Sequence, residues 1–265
     1  MHRFLNLFSL SIMVLIPLLG DSLDAQDRGN PNWYVRVAPY LWYSNLAGSE
    51  TLSLPPADNI VGDFRVHVGD AVLQNNWAGR FELGKGRIRG VANISRANSK
   101  NPSQAISLSD SADTRPVNYD FTWFTTEAFA AVQIGPFKEN FAFELYGGGR
   151  YVNHKQNVIA TDGSDAKISI DETWVEPFFG FRLFSELGKR WWASFHTDLG
   201  GFSAGSEYTW TMGGELGFRV VKFLDVSMRY DYQETEYDNK KEGSERYIWD
   251  NAVQQGWFFG LIFKR

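Results

Sequence analysis

The sequence predicts an all-β chain closed into an antiparallel transmembrane β-barrel of about ten strands, with eight as the smaller alternative, short periplasmic turns and long outer loops. Three observations carry that expectation. First, aromatic residues make up 16% of the 265 positions and glycine occupies 25, and no segment after the N-terminal region sustains a helical apolar period. That is strand composition punctuated by turn formers. Second, long segments alternate apolar and polar side chains with period two, and in the clearest of them every charge falls on the same face. Successive side chains of a strand point to opposite sides of the sheet, so these segments have one face free of charge. Third, connections alternate in length. "GKGR" (84–87), "GPFKE" (135–139), "ELGKR" (186–190) and "VKFLD" (221–225) are tight, whereas 45–72, 98–117, 154–168 and 236–248 are long and polar.

At the N-terminus, Met1, His2 and Arg3 precede the apolar "FLNLFSLSIMVLIPLLG", and the polar "DSLDAQDRGN" follows. A basic start, an apolar stretch of roughly 15 residues and a small residue at Ala25 form the pattern of a secretory signal peptide. Residues 1–25 are therefore expected to be an export leader and 26–265 a single outer-membrane barrel domain. The apolar run is interrupted by Asn6, Ser9, Ser11 and Pro17, and it is short for a membrane span of about 20 residues. The chain has no cysteine. An exported protein without disulfides needs a large core or a closed hydrogen-bond network, and thiol catalysis and cysteine zinc sites are excluded. The net charge of −5, without a basic stripe, gives no reason to expect nucleic acid as a partner.

Ten crossings are expected, at 32–44, 73–84, 87–97, 118–134, 140–153, 169–185, 190–202, 206–220, 223–236 and 249–263. In 140–151 the apolar face is Phe141, Phe143, Leu145, Gly147, Gly149 and Tyr151, and the opposite face is Ala142, Glu144, Tyr146, Gly148 and Arg150. In 172–184, Val175, Pro177, Phe179, Phe181 and Leu183 oppose Glu172, Glu176, Gly180 and Arg182. In 191–200, Trp191, Ala193, Phe195 and Leu199 oppose Ser194, His196, Asp198 and Gly200. The same split separates Met212, Leu216 and Phe218 from Thr211, Glu215 and Arg219, and Val226, Met228 and Tyr230 from Asp225, Arg229 and Asp231. The closing segment "QQGWFFGLIFKR" places Gln255, Trp257, Phe259, Leu261 and Phe263 outward and Gly256, Phe258 and Gly260 inward.

A soluble sandwich or lipocalin-like barrel would bury the apolar face, and a membrane barrel would turn it to lipid. The length of the apolar faces favours lipid, since a tilted spanning strand needs about 9–11 residues. So do Trp33, Tyr34, Tyr43, Tyr151, Trp191, Tyr208, Tyr232 and Trp257 near strand ends, where interfacial aromatic girdles lie.

The tracts "WYVRVAPYLWYSNLAGS" (33–49), "FELGKGRIRG" (81–90), "TDLGGFSAGSEYTWTMGGELGFRV" (197–220) and "VSMRYDYQETEYD" (226–238) resemble small outer-membrane barrels of the OmpA-like or OmpW-like barrel-domain type. The resemblance spans most of the mature chain and implies an outer-membrane location and a barrel fold. The last strand also resembles the insertion signal read by the barrel-assembly machinery, which usually ends on an aromatic residue. This chain adds Lys264 and Arg265 after Phe263.

Inside such a ring, Glu82, Glu127, Glu144, Arg150, Glu176, Arg182, His196, Asp198, Glu215, Arg219, Arg229 and Asp231 are the expected lumen polar network. A barrel of eight to ten strands has a bore only slightly wider than side chains can fill, so opposite charges should pair there and plug it. Ser194, His196 and Asp198 share a face at spacings of two. A Ser-His-Asp hydrolase would need all three to lean together, and a polar lumen cluster is the simpler reading. Glu172 and Glu176 as paired acid–base carboxylates, or an Asp/His protease of the barrel type, fare little better than the triad, and "GDFRVHVGD" (62–70) as a calcium loop and "GGG" (147–149) as a phosphate loop each lack the rest of their motif.

The expectation is an integral barrel with a structural or surface-binding role and a charge-plugged lumen. A narrow pore for small solutes comes second and a barrel hydrolase third. No catalysis, cofactor or metal is expected. The expected partners are outer-membrane lipid and, during biogenesis, the assembly machinery and periplasmic chaperones.

Overall fold

The computed structural model describes residues 32–54, 58–67, 76–107, 114–138, 141–160, 167–242 and 246–265. The export leader expected at 1–25 lies outside them. The described chain is strand from end to end: β1 (Trp33–Leu54), β2 (Asp58–His67), β3 (Trp77–Lys85), β4 (Ile88–Ser107), β5 (Thr114–Lys138), β6 (Phe141–Ala160), β7 (Lys167–Glu186), β8 (Trp191–Ala204), β9 (Ser206–Val221), β10 (Leu224–Asp238) and β11 (Tyr247–Lys264).

Neighbours in sequence pair antiparallel from β3 to β11, and β11 pairs back onto β1, with Val37 opposite Phe263 and Tyr43 opposite Trp257. The result is a closed ring of ten antiparallel strands. Closure is what lets a sheet sit in hydrocarbon, because an open edge would leave a row of unpaired N–H and C=O groups.

The eleventh strand is a correction to the expected long loop at 45–72. β1 does not end near residue 44 but continues to Leu54, and β2 returns alongside it, with Leu54 opposite Asp58 and Asn45 opposite His67. The lower part of β1, Trp33–Leu41, pairs with β3 instead. β2 thus stands above β3 on the same flank of β1, extending the wall rather than folding into the mouth. The expected loop at 98–117 is likewise mostly sheet, since β4 and β5 stay paired out to Ser107 and Thr114. In both segments the ladder hydrogen bonds continue past the part that carries the apolar–polar alternation.

The connection between β8 and β9 departs in the other direction. It sits at the end of the long hairpins yet turns within Ala204–Ser206. Gly205 makes this possible with φ +100°, and a Cβ there would lie 2.3 Å from the Val175 carbonyl oxygen. The wall is consequently low at β8–β9 and high on both sides.

Burial alternates along each crossing. Phe81, Leu145, Phe179, Phe195, Leu216, Met228, Phe259 and Leu261 are exposed on the outside, and their sequence neighbours face the lumen. Tyr34 is the exception among the expected girdle aromatics. It is buried, faces inward and lies across Gly84, where any Cβ would be 2.4 Å from its ring. An inward glycine opposite a large ring is how a narrow lumen finds room for an aromatic side chain. Gly148 marks a second close approach: a Cβ there would lie 2.1 Å from the Ala128 carbonyl oxygen.

A candidate functional site in the barrel lumen

The inward residues form a stack of layers from the end where β1 begins and β11 ends to the end of the long hairpins. At the terminal end, Lys264 Nζ lies 2.8 and 2.9 Å from the two Asp225 carboxylate oxygens, and Trp192 Nε1 donates to the same group at 3.0 Å. Lys264, which departs from an aromatic chain end, is therefore a buried lumen residue by strand parity. Above it, Glu82 gathers three guanidiniums: Arg89 at 2.9 Å, Arg36 at 3.5 Å and Arg80 at 3.5 Å. Tyr34 also donates to Glu82, at 3.2 Å. Arg89 reaches on to Glu144, so one cation joins β3, β4 and β6.

The middle layer is centred on Arg150, which is fully buried. Its Nε donates to Glu127 at 2.7 Å, Nη1 to Glu176 at 2.8 Å and Nη2 to Asp198 at 2.9 Å. These carboxylates come from β5, β7 and β8, so a single side chain on β6 ties together four adjacent strands. The second oxygen of Glu176 accepts from Trp174 and Thr209, both at 3.1 Å, and from Ser206. Tyr146 donates to the second oxygen of Asp198 at 3.2 Å. The Arg150 guanidinium also lies 4.8 Å from the centre of the Phe178 ring, a cation–π contact. Across the lumen, Arg229 pairs with Asp231 at 3.0 Å and stacks on Phe258 and Tyr40, at 4.2 and 4.9 Å. Tyr40 in turn donates to Glu215 at 3.2 Å.

Toward the long hairpins the interior becomes aromatic. Phe121, Trp123, His154, Trp174, Tyr247 and Trp249 are all buried and in mutual ring contact, with His154 and Trp249 centred 4.7 Å apart. Tyr237 stacks on Trp174 at 4.2 Å and donates to Glu172 at 3.0 Å, while Asn239 donates to the other Glu172 oxygen at 2.9 Å. Through these contacts the β10–β11 hairpin leans over the low β8–β9 connection and fastens onto β7. Between these layers lie a central cavity of about 100 Å³ and a lower one of about 50 Å³.

Of the sequence-predicted lumen residues, Glu82, Glu127, Glu144, Arg150, Glu176 and Asp198 are joined by the contacts just described. Glu215, Arg229 and Asp231 meet on the opposite wall. His196 faces Asp231 at 3.7 Å, and Arg182 lines both cavities. Arg219 stands apart at the terminal rim, where it approaches Glu186 at 3.8 Å and the Lys189 carbonyl at 3.4 Å. Ser194, His196 and Asp198 do not come together: Asp198 is held by Arg150 and Tyr146, and His196 turns to a different carboxylate. Among the described residues no group of three or more His, Asp or Glu side chains is placed to hold a metal.

Sequence reasoning missed Arg36, Arg80, Arg89 and Lys264, and it put Asp225 on the charged face of its strand without including it in the network. Parity would have found Arg80 two residues before Glu82, and Lys264 six residues after Phe258.

The fold and this interior define an outer-membrane β-barrel with a side-chain-filled bore. Searches by sequence agree with no family: no family model matches, and no curated protein matches. By structure, the chain is similar to the outer-membrane protease OmpT of Escherichia coli, with TM-score 0.56 and 8% identity over 89% of this chain and 97% of that one. Looser likenesses are the translocator domain of the autotransporter NalP of Neisseria meningitidis and the attachment invasion locus protein Ail of Yersinia pestis. The first has TM-score 0.39 and 12% identity over 99% of this chain and 96% of that one. The second has TM-score 0.35 and 8% identity over 88% of this chain and 98% of that one. At these identities the likeness is one of fold.

Proposed function

We propose that this protein is an integral outer-membrane barrel whose lumen is plugged by its own side chains, and that its role is structural or surface-binding rather than the passage of solutes. The observation that carries the reading is Arg150, a fully buried cation in the bore that holds carboxylates from three neighbouring strands. A conducting lumen would need those groups hydrated and apart, and separating buried ion partners costs several kcal/mol. The aromatic layer above, from Trp123 to Trp249, supports the same reading, since it fills the path toward the long hairpins.

Binding, on this reading, belongs to the outer hairpins: β1–β2, β4–β5, β6–β7 and β10–β11. Proteolysis, the activity in the name of the similar E. coli barrel, has no support in the Ser194, His196 and Asp198 geometry. Kinship with the OmpA-like or OmpW-like barrel domains rests on the sequence tracts alone. Insertion by the barrel-assembly machinery, with periplasmic chaperones escorting the chain, is part of the proposal and follows from the closed strand ring and apolar outer face. The test is solute flux into proteoliposomes. With small sugars and amino acids the swelling rate should match that of protein-free liposomes. Size-dependent swelling would replace this reading with the narrow-pore one.

A further inference from the structure

Among the described residues, Arg182 is a lumen cation that no carboxylate holds by a hydrogen bond or ion pair. It is 6% exposed, and among the described residues it has none of the hydrogen bonds or ion pairs that fix Arg89, Arg150 and Arg229. Its cross-strand neighbours are Glu144 on β6 and His196 on β8, but Glu144 is bound by Arg89 and His196 leans to Asp231. Within electrostatic reach of Arg182 lie two more guanidiniums, Arg80 and Arg89, and the already paired Glu82 and Glu144. Arg80 is poorly satisfied as well. Its ion pair with Glu82 is long, at 3.5 Å, and the Nη2 that makes it is buried without a hydrogen-bond acceptor in the protein. Arg80 and Arg182 are on the wall shared by the two cavities. The acidic groups lining those cavities are committed elsewhere: Glu127 and Asp198 to Arg150, Asp231 to Arg229, Asp225 to Lys264, and Glu215 to Tyr40.

A buried guanidinium without a counter-charge is costly, and it offers up to five N–H donors in a fixed plane. We infer that the lumen contains a binding site for a small inorganic anion, chloride or a single tetrahedral oxyanion, held by Arg182 and Arg80 where the two cavities share a wall. The larger cavity, about 100 Å³, exceeds the roughly 10–15 Å³ that one water needs, which leaves room for such an ion. The anion would supply the acceptors that Glu144 and Asp231 do not. The site goes beyond the filled-lumen reading, because it requires only the Arg182–Arg80 pair and exists whether or not the barrel conducts.

The test uses the folded full-length barrel in detergent. Its thermal unfolding midpoint is read from loss of the compact unboiled gel band in chloride, phosphate or gluconate at equal ionic strength. Gluconate, a large polyhydroxy carboxylate, serves as the reference anion. Chloride or phosphate should raise the midpoint saturably above its value in gluconate, as any ligand of the folded state does. Arg182→Met should abolish that rise, and in gluconate it should unfold at or above the parent midpoint, because it removes an unpaired buried charge. Equal parent midpoints in all three salts, a rise that persists in Arg182→Met, or a lower Arg182→Met midpoint in gluconate would each overturn the site. Where that variant does not fold, bromide-soaked crystals of the parent decide. An anomalous peak against Arg182 and Arg80 supports the site, and an empty position refutes it.

Discussion

Replacing Arg150 with methionine keeps most of the side-chain volume and removes the charge around which the middle layer is built. Three carboxylates, at 2.7, 2.8 and 2.9 Å, lose their shared cation together. At an effective dielectric constant of about 20, each pair with charge centres ~4 Å apart interacts by roughly 4 kcal/mol before desolvation is subtracted. Desolvation offsets much of that gross energy in the parent. Removing the cation does not restore it, because the carboxylates stay buried. Breaking one buried pair typically costs about 3–5 kcal/mol, and here three partners are stranded, so that range is a lower bound. Glu176 and Asp198 retain Trp174, Thr209, Ser206 and Tyr146 as donors, which keeps the fold recoverable at low denaturant. The assay is urea unfolding in lipid vesicles, followed by tryptophan fluorescence and by the unboiled gel band. Arg150→Met should lower the unfolding free energy by at least ~3 kcal/mol. Adding Glu176→Gln should recover part of the loss, giving a double mutant about 0.5–3 kcal/mol more stable than the sum of the singles. An Arg150→Met protein within ~0.5 kcal/mol of the parent, the usual effect of an ordinary surface change, would refute the reasoning.

Phe259→Arg puts a charge on the exposed belt and should cost about 2–4 kcal/mol near the bilayer midplane, seen as a lower yield of folded barrel. Thr211→Ser keeps the hydroxyl that accepts from Arg150 at 3.3 Å and should assemble like the parent; equal yields for both variants would show the faces assigned the wrong way round. Gly148→Val should prevent closure of β5 on β6, because even its Cβ has no room beside the Ala128 carbonyl, and normal folding of that variant would contradict the close approach. Tyr237→Phe removes one hydrogen bond to Glu172 and should cost about 0.5–1.5 kcal/mol while making the β10–β11 hairpin more sensitive to protease; unchanged protease sensitivity would mean that this contact does not fasten the hairpin.

The spanning part of the fold was legible in the sequence for a simple physical reason. Lipid outside and charge inside impose one strict period of two, so Phe259 against Phe258, or Phe181 against Arg182, can be sorted without coordinates. Above the membrane both faces of a strand meet polar surroundings and the alternation loses its contrast, which is why β2 and the upper parts of β1, β4 and β5 read as loop. Tyr34 was placed at the interface because its position near a strand start fits a girdle. The opposing Gly84, fifty residues later, is what lets its ring turn inward toward Glu82. Which charges share the lumen followed from parity, but which ones touch did not. Arg150 meets Glu127, Glu176 and Asp198 because β5–β8 register and strand tilt bring those levels together. Register is set by cross-strand pairing along whole hairpins and is not written in any one segment.

Single-channel recording of the purified parent barrel in planar bilayers tests the central claim most directly. A bore closed by the Arg150 and Arg229 layers and roofed by Trp123, Trp174 and Trp249 should give no steady conductance at any holding potential the membrane tolerates. Reproducible open steps in the parent, with ion selectivity that changes in Arg229→Gln, would contradict it and make the lumen a narrow pore.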